Sequence, residues 1–320
     1  MMNAFEKTLV GALIAFLPIV SQAQTVKDAS DAYNEAYKLY FTDKEATITK
    51  LEKALDICRK LGPVGDTIRL KIEGFLPGLY YEVANAAYKE KNYTGAVGIL
   101  DKAIHVAVEY NSEDYHRSLT KLLGNSYYYI GNDAVTANSL DSALFYYQLS
   151  DKVEPRAYKW FSMAQVYLKK NDEEHMTSAI DKTIELGKSE TDTVMEAKAC
   201  NLGRQYYYAQ GAALQSKDGV KAMVALDKAV SYEPSYANAY ALKALIAYNL
   251  KKYQESADAA TSAVAYETDP EKLAKIYFKL GFTYVYLKKG PEACAAFKKA
   301  AESKTYVNEA RRNMQNLHCN

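Results

Sequence analysis

The chain has 320 residues, 49% of them apolar and 25% charged, which is enough to bury a large core and excludes a disordered polymer. Its 40 basic and 39 acidic side chains leave a net charge of +1, so no global field draws in nucleic acid or an anionic membrane surface. Tyr occurs 29 times against nine Phe and one Trp, an excess of apolar rings with a polar tip that suits half-buried walls and binding surfaces.

Residues 1–23 read as an export leader: Lys7 near the start, an apolar run from Leu9 to Val20 broken by Pro18, then Ser21-Gln22-Ala23 as small-residue cleavage context. The run is short for a membrane span, and no Cys follows it to carry a lipid. The mature chain is therefore expected to begin near Gln24 and to work outside the cytoplasm, in a periplasm with release as the alternative, touching a membrane only through a partner.

From there on, apolar residues recur at three and four, as in "ILDKAIHVA", "ALDKAV" and "AFKKAA", and no alternating stretch demands a sheet. Residues 27–61 form a degenerate hairpin, with Ala32, Ala36, Leu39 and Tyr40 facing Ile48, Leu51, Leu55 and Cys58. Over 77–110 the pattern sharpens to Tyr80, Val83 and Ala84 on one helix and Tyr93, Ala96, Leu100 and Ala103 on the next. Over 117–155, Leu123, Gly124 and Tyr127 are answered by Ala143 and Tyr147 before Pro155, seven residues later than the standard spacing, with "GNDAVTANS" expected as a loop.

Residues 157–187 carry Trp160, Met163, Ala164, Tyr167, Ile180 and Thr183, although Met176 stands where a small residue belongs. Over 196–234, Leu202, Gly203 and Tyr206 precede Ala222, Leu226, Ala229 and Pro234, again displaced by seven; seven residues make about two helical turns, so "AQGAALQSKD" can lengthen a helix without rotating its buried face. Residues 237–270 hold Tyr240, Ala244, Tyr253, Ser256 and Ala263, with Lys243 and Ala247 replacing the aliphatic and the aromatic. Residues 274–303 give the fullest version: Tyr277, Leu280, Gly281 and Tyr284, then Ala293, Phe297 and Ala300. In 304–320, Tyr306, Ala310, Met314 and Leu317 make one stripe, with Arg311 and Arg312 outward, as a capping helix needs.

This spacing resembles the tetratricopeptide repeat, an antiparallel helix pair of about 34 residues, and the resemblance covers nearly all of the chain after the leader. It implies an all-α, right-handed superhelical solenoid of antiparallel hairpins over 24–320, about six to seven of them plus the capping helix, with first helices lining a concave wall. Gly281 and Ala293 let two helices approach while aromatics fill the space beside them.

The informative wall positions follow the small packing residue. After Ala84, Gly124, Ala164 and Gly203 come Asn85, Asn125, Gln165 and Arg204. On the same face stand Tyr81, Tyr88, Lys89, Lys121, Tyr128, Tyr129, Phe161, Lys169, Tyr207 and Tyr208, so hydrogen-bonding groups alternate with rings along a groove suited to an extended peptide. Lys89, Lys121, Asn85 and Asn125 imitate only in part the Lys and Asn set with which some tetratricopeptide domains grip a C-terminal carboxylate. Further on, the amide place holds Leu245 and Phe282, with Tyr248, Phe278 and Tyr286 nearby: an apolar pocket, or a surface for self-association.

Chemistry is sparse. His105, His116, His175 and His318 are scattered, and no metal site or cofactor is expected. "GKS" at 187–189 lacks the first Gly of a phosphate loop, Lys182 standing there, and "SLTK" at 118–121 has no companion motifs. Glu173 and Glu174 read as solvated helix ends. Cys58, Cys200, Cys294 and Cys319 form no CxxC pair and read as free, buried small hydrophobes. The expected function is a non-enzymatic scaffold or adaptor holding a peptide segment or protein in the groove. The alternatives are a glycan or nutrient-binding component of an outer-membrane uptake system, where Tyr rings would stack on sugars, and an envelope assembly factor using its convex face.

Overall fold

Apolar stripes at helical spacing leave one face of each segment in need of cover, and each segment finds it on the next. The computed structural model describes residues 25–319 and contains α1 (Val26–Leu39), α2 (Lys44–Leu61), α3 (Asp66–Lys89), α4 (Tyr93–Glu109), α5 (Glu113–Thr136), α6 (Leu140–Val153), α7 (Ala157–Lys169), α8 (Glu173–Glu190), α9 (Thr193–Leu214), α10 (Gly219–Tyr232), α11 (Ala237–Asn249), α12 (Tyr253–Tyr266), α13 (Pro270–Tyr286), α14 (Gly290–Ala300) and α15 (Val307–Asn316). A 3₁₀ turn covers Gly62–Gly65, and the described residues contain no strand. The expected leader lies outside the described residues.

Sequential helices pack as hairpins, α1 on α2, α3 on α4, α7 on α8, α9 on α10, α11 on α12 and α13 on α14. The chain divides into two compact units, one ending at Ser126 and the other starting at Tyr127, so the division falls within α5. In the first unit Leu51, Ile72, Leu76, Leu79 and Leu100 are fully buried, and Tyr80 donates to Glu52 at 2.5 Å. Pro77 lies inside α3, which starts eleven residues earlier, at Asp66, than the hairpin boundary of residue 77 expected from the repeat pattern. In the second unit, buried clusters follow the hairpins in order: Tyr147, Met163, Met176 and Ile180; then Tyr207, Leu226 and Ala229; then Ala260 and Leu280; then Phe297 and Ala310.

Three hairpins close where a first-helix residue has no side chain. A Cβ on Gly281 would lie 2.7 Å from the Phe297 ring, one on Gly203 2.7 Å from Tyr232, and one on Gly131 2.6 Å from Tyr147. The ring of the second helix takes the vacated space. The lengthened units use helix, as expected for 196–234, where α9 runs through "AQGAAL" to Leu214. "GNDAVTANS" is corrected: residues 131–136 belong to α5 and only 137–139 turn. The reason is packing, since Tyr147 seats against Gly131 and donates to Asn132 at 2.6 Å, and Ala134 and Val135 join the core cluster.

Helix ends repeat one device. Lys91, Asn171, Lys251 and Lys288 have φ of 62°, 55°, 60° and 58°, the left-handed conformation that stops the first helix. At the third of these, Lys251 donates its backbone N–H to Tyr248 O at 2.9 Å and Lys252 donates to Ala247 O at 2.8 Å, so two orphan carbonyls are satisfied. At two of the four the next residue then caps the second helix with its side chain: Asn92 accepts from Gly95 N–H and Asp172 from His175 N–H.

One buried cation closes a different helix end. Lys159 is 0% exposed, and its Nζ donates to Ser150 O at 2.9 Å and Glu154 O at 2.6 Å at the C-terminus of α6, where the helix dipole favours positive charge. Burial pulls its pKa down, opposed by the Glu154 and Asp151 carboxylates.

Two stability predictions arise here. Gly281→Ala should lower the free energy of unfolding by about 1–3 kcal/mol, because a ring in a packed core must move, while Gly290→Ala, with nothing within 4 Å of the added carbon, should leave it within about 0.5 kcal/mol. Lys159→Met should cost about 1–3 kcal/mol by orphaning the Glu154 carbonyl. Urea unfolding followed by helicity measures all three.

Candidate partner-binding face

The residues expected to form a ladder are shared between the two units. Tyr81, Asn85, Tyr88 and Lys89 lie on α3 and Lys121 and Asn125 on the part of α5 within the first unit. There Lys89 and Lys121 are exposed and the other four half-buried. The Tyr81 ring lies 6.2 Å from Tyr115, and Tyr88 meets Tyr93 edge-on at 5.4 Å.

In the second unit, Gln165 and Lys169 are exposed on α7, while Phe161 packs on the core cluster beneath them. Tyr128 is half-buried; its hydroxyl bonds Ser162 at 3.1 Å and its ring lies 4.9 Å from Tyr158, whose hydroxyl is pushed up to about 12 by burial. Tyr129 stays exposed beside it, ring centroids 5.6 Å apart. Arg204 lies 4.6 Å over the Tyr236 ring and pairs with Glu233 at 3.2 Å, while Tyr208 meets the same Tyr236 ring at 5.2 Å. Arg204, Tyr208 and Tyr236 thus form one half-exposed ledge.

Tyr207 is not part of it. It is 0% exposed, its hydroxyl 2.6 Å from Thr177 and 3.4 Å from Lys228, its ring stacked 6.1 Å from Tyr232. The physical reason was present in the spacing: Tyr207 stands four residues after Gly203 and shares its buried stripe, as Tyr208 stands four after Arg204 and shares the open one. Glu173 is likewise more than a solvated helix end. Burial pushes its pKa up, but Gln210 at 2.8 Å and Lys228 at 3.4 Å outweigh that and hold it below the usual carboxylate range.

Two cavities open in the second unit. One of about 520 Å³ between α8, α9 and α10 has polar walls, including Asp181, Lys188, Glu196 and Lys228, with Cys200 at its side, where burial pushes the thiol up. The other, about 330 Å³, lies between α11 and α13 over α12, with Leu242, Leu245, Ile276 and Leu280 in its lining. The apolar end of the expected wall is thus divided. Leu245 and Tyr248 line this cavity, whereas Phe278 is buried and packs with Phe297, Tyr306 and α15. Tyr286 is exposed and stacks on Tyr253 at 4.6 Å.

The cysteines do not all stay free. Cys294 on α14 and Cys319, just past α15, are joined in a disulfide with Cα atoms 5.6 Å apart, while Cys58 and Cys200 remain thiols. Sequence spacing cannot show this pair, because it forms only once α15 has folded back onto α14. Ala310 is fully buried in that contact, with Tyr306, Met314 and Leu317 packed around it, as the stripe predicts. Among the described residues, no group of three or more His, Cys, Asp or Glu converges as a metal site.

Repeated antiparallel pairs, a glycine against a ring in three of them, and a recurrent turn settle the repeat class. The chain is built of tetratricopeptide-type helical hairpins. No family model matches it, and no curated protein does. Solved structures similar to it include YrrB, described as a TPR protein with an unusual peptide-binding site, at 19% identity over 66% of this chain and 98% of that one, TM-score 0.31. The TPR2AB domain of yeast Sti1, in complex with pHSP90, is 19% identical over 92% and 98%, TM-score 0.32. MamA from Desulfovibrio magneticus RS-1 is 23% identical over 56% and 93%, TM-score 0.29. At such scores the superpositions say little about this chain's geometry, and its repeat class rests on its own helix pairs.

Proposed function

We propose that this tetratricopeptide-type chain is a non-enzymatic scaffold that holds an extended segment of a partner protein against the open faces of its first helices. One observation carries the reading: between the first helices α11 and α13 a cavity with a mainly apolar floor stays open. At about 330 Å³, the low end of the usual ligand range, it has room for one or two side chains of a partner. The exposed amide and Lys of α7 and the Arg204 ledge on α9 supply hydrogen-bonding groups of the kind an unpaired peptide backbone needs.

A random-peptide display panned against the full chain tests this. Enrichment of a shared peptide motif whose affinity falls about tenfold in a Gln165→Ala, Lys169→Ala, Tyr208→Ala variant of unchanged melting is the expected result. Failure to enrich any peptide, together with retention of glycans on an array, would favour the sugar-binding alternative and overturn the reading.

We also propose that the protein is exported, residues 1–23 being removed on the way. Support comes from the leader-like grammar of those residues and from the Cys294 to Cys319 bridge, a bond that persists in oxidising compartments. Mass spectrometry of the protein isolated from its native host should find an N-terminus at Gln24; an intact Met1 on soluble protein would contradict it.

A further inference from the structure

The cavity between α11 and α13 has an apolar floor and a basic edge. Its floor is formed by Ala244, Ala260, Ile276 and Leu280, and the polar atoms there are already used: Ser256 Oγ donates to Ala244 O at 2.9 Å and Thr283 Oγ1 to Lys279 O at 3.0 Å. The floor itself offers little to the hydroxyls of a sugar, although Tyr208, Asn238 and Tyr248 also line the cavity. It suits an aliphatic group, whose transfer from water is favourable without a directional partner.

Along the α13 side stand Lys272, Lys275 and Lys279, all exposed. Their spacing of three and then four residues places them on one helix face, about 4.5 and 6 Å apart along the axis. Among the described residues none of the three takes part in an ion pair, whereas Lys243 on the facing helix α11 is held by Asp227. The one carboxylate at the cavity, Glu267, is engaged at the start of α13, accepting backbone N–H bonds from Thr268 and Asp269 at 3.0 Å each. Neither α11 nor α13 places an acidic side chain in the lining. Three ammonium groups thus face a single carboxylate in the lining, and the cavity edge carries a net positive charge.

We infer that this cavity is the anchor site for an acidic segment of the partner, which seats one aliphatic side chain on the floor while flanking Asp or Glu carboxylates pair with Lys272, Lys275 and Lys279. The inference rests on the scaffold reading and names the chemistry of its ligand. The lysine row favours a polypeptide over a fatty acid. A fatty acid carries one carboxylate, which engages one ammonium, while three cations spread over two turns match carboxylates repeated along an extended chain at about 3.3 Å per residue. A net positive edge of this kind also steers association from a distance and makes binding weaken as salt rises.

The test uses the full chain and a fluorescent synthetic peptide of Glu and Asp residues around one central Leu, read by polarisation. Binding should weaken about tenfold when the Leu is replaced by Ser, and by about tenfold or more in the Lys272→Gln, Lys275→Gln, Lys279→Gln variant. The three lysines are exposed, so the variant should melt as the parent does. Leu245→Asp, placing a like charge at the mouth, should weaken the same peptide and leave a Lys-rich one unaffected or improved. Equal binding by parent and triple variant overturns the inference, as does binding of a fluorescent fatty acid without the peptide. If the acidic peptide fails while display-selected peptides of other composition bind, the anchor assignment is wrong and the scaffold stands; if no peptide of any composition binds, both fall.

Discussion

The structure depends on how close two helices of a hairpin can come. At Gly131, Gly203 and Gly281 a ring from the second helix occupies the place where a first-helix Cβ would be. Dispersion contacts fall off steeply with distance, so this approach is what turns two marginal helices into a stable pair. It also fixes rotation. Once Gly203 faces Tyr232, the next residue, Arg204, must point elsewhere, and Tyr208 with it, which is how core packing selects the residues left to meet a partner.

Length and rotation are separable in this design. The first helices α5 and α9, at 24 and 22 residues, exceed α7 and α11, at 13 each, yet the two longer helices both still present a glycine to a ring of the second helix. Adding about two turns returns the buried stripe to the same side. After α3, α5, α7, α11 and α13 a left-handed turn then reverses the chain within a few residues. None of the five residues that adopt it there, Lys91, Asn138, Asn171, Lys251 and Lys288, is glycine; Lys and Asn accept the strain in exchange for satisfied carbonyls.

Much of this was legible in the amino-acid sequence because the hairpin pattern recurs. Gly281 with Phe297, and the stripe Tyr306, Ala310, Met314 and Leu317, could be placed from spacing alone. What escaped had identifiable causes. Residues 131–139 contain Asn132, Asp133 and Asn138, which favour turns by local propensity, but burial of Ala134 and Val135 and the Tyr147 contact override it and carry the helix to Thr136. Tyr207 stands three residues after Arg204, which suggests the open face, but also four after Gly203, and that second offset carries it into the interior. The lysines at 272, 275 and 279 share a face by simple periodicity, but their meaning required the facing helix α11, which no local pattern supplies. How the first-unit ladder residues Asn85 and Asn125 serve a partner depends on chemistry carried by that partner.

The bridge between Cys294 and Cys319 has a mechanical meaning. By area and polarity α15 is weakly held: of its residues only Ala310 is buried, and its exposed face is charged. In a linear array of hairpins, such an element would be peeled away first by tension applied along the chain. Because Cys319 is covalently tied to α14, a pull from beyond Cys319 bypasses α15 and is delivered directly to the second helix of the preceding hairpin. Residues 295–318, the small helix among them, bear no load, and resistance begins at Cys294, where α14 packs on α13.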